Sequence, residues 1–494
     1  MKTTSTPTEA GKPDILFIMP DQMRGDCLSC LGHPAVKTPQ MDQLAEEGVL
    51  FRRAYTPVAS CIPARYALLT GLFSQTSGVV GFDAKVISTP TLSGMLSDAG
   101  YSTVLVGRNM HQKAESGACG YQKRILGSTY VNDDDYDSFL CQTAPETGGI
   151  TNFVKNTMQL YYNLWPADAW PLADELHPTE WTVEQSRKVV QETDQRRPLF
   201  LTTSFYAPHP PLFPPEKYFD EKLAAELPEP ARGDWVDSTS LPVNEKGQKK
   251  GTRVSLEGET LRRAQAGYFG LIEHIDHQIS SLIRDFKDRS EQAGRPWVIV
   301  ITSDHGEMLG DHGYFRKCEP YEGSANIPFI FSGSPSLGFK NGRHLNQPVS
   351  LPDIMPTLLT LAGVETPDFV DGIDLCPPLR GSSQPLREWL HFEHAPQYSD
   401  TQAFQALTDG RFKYIWRSLG GREQLFDLEK DPKEEHDLSR DADSQEVLKK
   451  WRNTLIRKLA DRPEGFVKNG ELVPVSEYPP LNNGELNAKN EQYQ

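Results

Sequence analysis

Two acidic pairs stand far apart in this sequence, Asp21-Gln22 near its start and Asp304-His305 within ITSDHGEMLGDHG. Together they offer three side-chain oxygens and one imidazole, a donor set suited to a divalent cation. Either pair alone would pass for a polar cap on a turn. Between them in sequence lies CIPARYALLTG, which carries Cys61, Pro63, Arg65, Thr70 and Gly71. Pro63 suits the first turn of a helix running through Leu69. Cys61 then sits just ahead of a helix N-terminus, where backbone N–H groups favour negative charge. By residue type alone, Cys61 would be a buried or simply reactive thiol at such a terminus.

The elements that must position these residues follow from the apolar pattern. Short apolar runs alternate with helical patterns from residue 14 to about 360, which predicts a mostly parallel sheet covered by helices. Strands are expected at Asp14 to Met19, Phe51 to Tyr55, Thr103 to Val106, Leu199 to Ser204 and Val298 to Thr302, with a helix from Thr38 to Glu47. Ligands in open α/β sheets sit beyond the carboxyl ends of strands, and both acidic pairs fall at such ends. Residues 221–260 are polar and charged and read as a surface insertion. Past residue 376, Asp409-Gly410 and Gly420-Gly421 mark hairpin turns between the apolar runs 404–407, 411–417 and 423–428. Leu448, Trp451, Leu455 and Leu459 recur at helical spacing and would pack a helix on that sheet. The tail from 461, rich in Pro, Asn and Glu, is expected to wrap the surface. The fold class is therefore α/β, with a large domain over 1–375 and a smaller C-terminal α+β subdomain with an antiparallel sheet over 376–494.

Composition narrows the function. A chain of 494 residues exceeds the usual size of one core. Its 37% hydrophobic and 24% charged residues are ordinary for a globular protein. The apolar stretches are of strand length and too short to span a bilayer. Residues 1–13 lack the apolar core of a signal peptide, so a cytoplasmic location is expected. A net charge of −16 argues against nucleic acid and means that any anion site must be locally basic. Seven cysteines do not form a disulfide framework, and Cys27 and Cys30 read as ordinary half-buried thiols. His274 and His277 fall on a helical pattern and read as structural or surface residues. The segment His391-Phe392-Glu393-His394 reads equally well as the border of a substrate pocket or as a strand end with solvated polar residues.

The run around Cys61 resembles the signature of the type I sulfatases, C-x-P-x-R-x-x-x-[LT]-G, in the alkaline phosphatase-like superfamily. The resemblance extends over roughly 360 residues. It takes in Asp21-Gln22, the segment Ser303 to Gly306, His209 in SFYAPHPP, Lys317 in GYFRKCEPYEGS, and the stretch 347–376. It implies that a formylglycine-generating maturase oxidises Cys61 to formylglycine. It also implies a metal site of Asp21, Gln22, Asp304, His305 and the converted Cys61, with Ca2+ expected and Mn2+ or Mg2+ as alternatives. Two departures stand out. Asp21-Gln22 looks like the branch with choline sulfatases and phosphonate monoester hydrolases, and the family's G-K-x-H is here Gly107-Arg108-Asn109-Met110-His111.

By the same resemblance, one hydroxyl of the hydrated aldehyde attacks sulfur while the metal and Arg65 activate it. Lys317, His209 and Arg108 cradle the sulfate oxygens. His209 or Lys317 protonates the departing alcohol, and His111 takes the proton of the second hydroxyl as sulfate is expelled. The implied function is hydrolysis of a sulfate monoester, of a small molecule or of a saccharide, with no nucleic acid or membrane partner. The alternatives are a phosphonate monoester or phosphodiester hydrolase with the same machinery, and a non-catalytic binder of sulfated ligands whose Cys61 is never oxidised.

Overall fold

The structure, a computed structural model, describes residues 11–82, 84–129, 131–157, 165–236, 256–397 and 402–478. Strand β1 (Asp14–Asp21) is buried along its whole length, as a parallel strand covered on both faces must be. The pleat sends Leu16 and Ile18 into one core layer and Ile15, Phe17 and Met19 into the other. The remaining strands of the large unit are β2 (Gly48–Phe51), β3 (Ala54–Tyr55), β4 (Ser102–Gly107), β5 (Lys123–Leu126), β6 (Leu199–Pro208), β7 (Trp297–Thr302), β8 (Phe329–Gly333), β9 (Arg343–Leu345) and β10 (Val349–Ser350). With β1, seven of them form one eight-stranded sheet in the order β5-β4-β6-β1-β7-β8-β2-β9. Only β8 runs antiparallel to its neighbours, β7 and β2. The helix Gly258–Gln292 covers one face, and Cys61–Thr70 with Ile354–Leu361 cover the other.

The expected strand from Phe51 to Tyr55 is broken in two. β2 ends at Phe51, Arg52 is exposed, and β3 leaves the large sheet to pair with β10. Two successive arginines cannot both be covered, and Arg53 swings to an ion pair with Glu322 at 3.1 Å. The expected insertion at 221–260 is also corrected at its start. The helix Glu216–Ala224 packs onto Gly258–Gln292, with Phe219 buried and the Lys222 ammonium buried against Glu273. Residues 237–255 of that segment lie outside the described residues.

The C-terminal antiparallel sheet has the order β11 (Leu390–His394), β12 (Phe404–Thr408), β13 (Phe412–Arg417) and β14 (Glu423–Asp427). One face meets Tyr55, Tyr314 and Tyr321 of the large unit. The other carries the helix Gln445–Leu459, with Leu448, Trp451, Leu455 and Leu459 all buried. Cys376–Leu379 packs into the large unit's core beside Ile354–Leu361. The tail from 461 does more than wrap the surface: Phe466 is buried and Arg462 ion-pairs with Glu393. Residues 479–494 lie outside the described residues. Among the described residues, no helix is long and apolar enough to cross a membrane.

Candidate active site

Four strands end close together at the carboxyl edge of the large sheet, and each hands over to a polar residue. β1 ends on Asp21, followed by Gln22 in left-handed backbone with φ 69°. β7 runs into Ser303-Asp304-His305, β4 into Arg108 and β6 into His209. Gly107, at the end of β4, approaches β6 so closely that a Cβ would lie 2.1 Å from the Ser204 carbonyl oxygen. Only glycine lets β4 deliver Arg108 there. Across from these ends, Cys61 opens its helix behind an extended Ser60. Gly71 closes that helix in left-handed backbone, φ 68°, and donates its N–H to Ala67. The motif's glycine is thus a helix stop.

Arg65 ties the two acidic pairs together from within the same helix. Its Nη2 donates to Asp21 Oδ2 at 2.7 Å and its Nε to Asp304 Oδ2 at 2.9 Å. Nη1 donates to the Asn109 carbonyl at 2.9 Å and to Ser204 Oγ at 3.1 Å. The resemblance implies that Arg65 acts on the nucleophile; its bonds in the structure run to the two carboxylates beside it.

The Cys61 sulfur is surrounded by polar groups. His305 Nε2 is 3.1 Å away, Lys317 Nζ 3.2 Å, and Asp21 Oδ1 and Arg108 Nη2 each 3.9 Å. Burial and Asp21 push the thiol up, but Lys317 and His305 outweigh them and hold it below its ordinary value. Lys317 Nζ also donates to Gln22 Oε1 at 2.9 Å. Arg108 Nε lies 2.9 Å from both Asp21 Oδ2 and His111 Nε2, and its guanidinium sits 4.5 Å over the Tyr206 ring. His209 Nδ1 and the Tyr206 hydroxyl both lie 2.8 Å from the Pro210 carbonyl oxygen. That acceptor fixes the His209 proton on Nδ1 and leaves Nε2 for the site. Burial, then Lys317 and Arg108, push His209 well below the usual histidine range; burial and Arg108 do the same to His111.

The sequence-derived residues Asp21, Gln22, Cys61, Arg65, Arg108, Asp304, His305 and Lys317 are thus joined by direct contacts, with His209 and His111 beside Arg108. Ser204, Tyr206, Asn109 and Glu307 also belong to the network and carry no spacing signal that singles them out. Of HFEH, His394 Nε2 lies 2.9 Å from Ser60 Oγ, next to Cys61. Glu393 turns away, accepting from Ser74 Oγ at 2.7 Å and from both Arg462 amino groups.

Ligand atoms of Asp21, Cys61, Asp304 and His305 all lie within 4.8 Å of one another, and all four residues are buried. Burial is the largest effect on Asp21, and together with the nearby Asp304 it pushes that carboxyl up despite two guanidiniums on it. Two buried carboxylates, an imidazole and an amide oxygen fit a divalent cation. The N–H donors of His305, Lys317 and Arg108 around the sulfur suit an anionic group better than a neutral thiol.

The sulfatase family model matches residues 13–364. The chain belongs to the sulfatase family. A second model, for the C-terminal part of N-sulphoglucosamine sulphohydrolase, matches residues 310–461 of this sulfatase. The sulfatase is 35% identical over 488 residues to an arylsulfatase of Clostridium perfringens, covering 94% of this chain and 98% of that protein. It is 30% identical to a choline-sulfatase of Rhizobium meliloti over 449 residues, 86% of this chain and 82% of that protein. It also resembles the crystal structure of the phosphonate monoester hydrolase of Agrobacterium radiobacter. That likeness has a TM-score of 0.77 and 26% identity, and covers 91% of this chain and 96% of the other. The protein is a sulfuric ester hydrolase with the α/β architecture of the alkaline phosphatase-like superfamily.

Proposed function

We propose that this sulfatase hydrolyses a sulfate monoester through the hydrate of a formylglycine made from Cys61 by a maturase. The observation that carries this reading is the ring of His305, Lys317, Arg108 and Asp21 around the Cys61 sulfur. Asp21, Gln22, Asp304 and His305 would hold a divalent cation, Ca2+ first and Mn2+ or Mg2+ as alternatives. Such a cation supplies positive charge beside the nucleophile and the sulfate oxygens.

The protein's own residues divide the remaining work. Arg65 keeps the two carboxylates in register. Lys317 and Arg108 bind the sulfate oxygens with charge-assisted hydrogen bonds, and His209, neutral in the free site, joins them as a donor once the bound anion draws a proton onto its Nε2. As the Cys61 hydroxyl bonds to sulfur, the bond from sulfur to the ester oxygen breaks. That oxygen takes a proton from Lys317 or His209. Expulsion of sulfate needs the second Cys61 hydroxyl to lose its proton. His111, which stays neutral beside Arg108, is the proposed base, and taking that proton on Nε2 displaces its bond from Arg108. The catalytic machinery belongs to the unit over 1–375, and the unit from 376 borders it through His394. The substrate class proposed is a sulfated carbohydrate or a small aryl or alkyl sulfate.

The likeness to a phosphonate monoester hydrolase, together with Asp21-Gln22, favours a second reading in which phosphonate monoesters or phosphodiesters are turned over by the same groups. The ratio of kcat/KM for nitrophenyl sulfate over nitrophenyl phenylphosphonate tests both, on protein co-expressed with a formylglycine-generating enzyme. A ratio well above one is expected. A ratio well below one overturns the sulfate preference.

A further inference from the structure

Gln22 differs from the other proposed cation ligands in that its donor is not fixed by its own chemistry. An amide carries an oxygen and a nitrogen of nearly the same shape, and only the oxygen can hold a cation. Its neighbours fix the orientation. Nε2 donates to Glu307 Oε2, while Oε1 accepts from Lys317 Nζ at 2.9 Å. A carboxylate only accepts and an ammonium only donates, so the opposite orientation would set acceptor on acceptor and donor on donor. Glu307 is itself held in place. Its Oε1 accepts the backbone N–H of Leu309 at 2.9 Å and that of Arg316, and its side chain is buried. Its backbone carbonyl accepts from Arg24 Nη1 at 3.1 Å, and Arg24 pairs with Asp311 at 2.8 Å.

We infer that Glu307 is a positioning residue that locks the Gln22 amide with its oxygen toward the cation. Gln22 and Glu307 then form a matched pair, in which a neutral ligand requires a buried carboxylate behind it. The inference rests on the reading that Asp21, Gln22, Asp304 and His305 hold a divalent cation. Groups behind a metal ligand typically account for about 10–100-fold in metal affinity.

Calorimetric titration of Ca2+, and separately of Mn2+, into metal-free protein tests it without reference to any ester. The proteins are the wild type, Glu307→Gln, Gln22→Glu and the double variant Gln22→Glu/Glu307→Gln, all in the same state of Cys61 maturation. Glu307→Gln is expected to weaken binding at least about tenfold, because the new amide, its oxygen held by the Leu309 and Arg316 N–H groups, turns its NH2 toward Gln22 and favours the reversed orientation. Gln22→Glu alone sets two carboxylates against each other, and should weaken binding and lower the Tm of the metal-free protein. The double variant exchanges amide and carboxylate while keeping one N–H···O bond between them. It should recover both Tm and affinity to at least the wild-type level. Should Glu307→Gln fail to fold, Gln22→Glu against the double variant still decides. Wild-type binding matched by Glu307→Gln, or a double variant no better than Gln22→Glu, overturns the inference alone. A wild type that binds neither ion removes the cation site and the inference with it.

Discussion

Two buried clusters of charge invite comparison. Where β3 meets the C-terminal sheet, Lys413 Nζ lies 2.7 Å from both Glu322 and Glu434, and Arg53 lies 3.1 Å from Glu322. Two cations face two carboxylates there, and Tyr55 and Phe392 lie within 6 Å of the lysine. At the strand ends, Arg65, Arg108 and Lys317 stand around Asp21 and Asp304, with His305 alongside and Glu307 one layer back behind Gln22. The first cluster is balanced and joins two sheets. The second sets three cations against two carboxylates in the layer around the Cys61 sulfur, a local excess of positive charge inside a chain of net charge −16. A bound divalent cation would enlarge that surplus. Local excess in a low-dielectric pocket is what an anionic ester needs in a protein whose overall field repels it. Balance goes with structure here, and imbalance with a ligand.

The sharpest way to separate the two clusters is to remove the proposed nucleophile. Cys61→Ala should lower kcat/KM for nitrophenyl sulfate by at least about 10³-fold, with the Tm close to that of the wild type. A Tm collapse would mean that the strand-end cluster is structural after all. Lys413→Met should do the reverse. Breaking a buried pair by removing one partner costs about 3–5 kcal/mol, read as a drop in the midpoint of urea unfolding, while the folded fraction keeps its kcat.

The strand β11 connects the two regions and gives the next test. His391, beside Glu393 and flanked by Lys458 and Arg462, and His394, against Ser60, are each pushed by burial down to about 4. Unfolded, each takes up a proton near pH 6.5, whereas folded it stays neutral to about pH 4. The unfolded chain therefore binds more protons across that window, so stability rises with pH through it and is lost as pH falls from 6.5 to 4. Urea unfolding at pH 7, 5.5 and 4.5 checks this, and a flat profile contradicts it. The smallest effect is expected from Ser60→Ala, which removes one neutral hydrogen bond to His394 and should cost about 1 kcal/mol. Any loss of kcat beyond that would tie the C-terminal sheet to the alignment of Cys61.

Much of this was legible in the sequence, for identifiable reasons. Strands buried on both faces read as unbroken apolar runs, so β1 and β7 and the acidic pairs after them could be placed, and Pro63 located the helix behind Cys61. The C-terminal hairpins were marked by their glycine turns. The break at Arg52-Arg53 was not legible, because the partner that draws Arg53 out of line, Glu322, is about 270 residues away and has no periodic signature. Lys222 looked like a surface charge for the same reason, since Glu273 becomes its neighbour only when two helices pack. Glu307 stands three residues beyond Asp304, in DHGE, yet its meaning depends on which way the Gln22 amide faces. Side-chain direction of that kind is set by tertiary contacts and not by spacing.

The burial of the Cys61 helix also sets a clock. Arg65 is inaccessible in the folded protein, and Pro63 and Cys61 are buried. A modifying enzyme that reads those side chains must therefore meet the segment while it is still extended. The groups that close over it, Asp304, His305, Lys317 and His394, are made much later. About 245 residues separate Gly71 from Lys317, and at about 5–20 residues per second synthesis of that stretch lasts on the order of 10–50 s. For the proposed conversion of Cys61, the order of residues along the chain would hold the segment open for that interval, and the completed fold would end it.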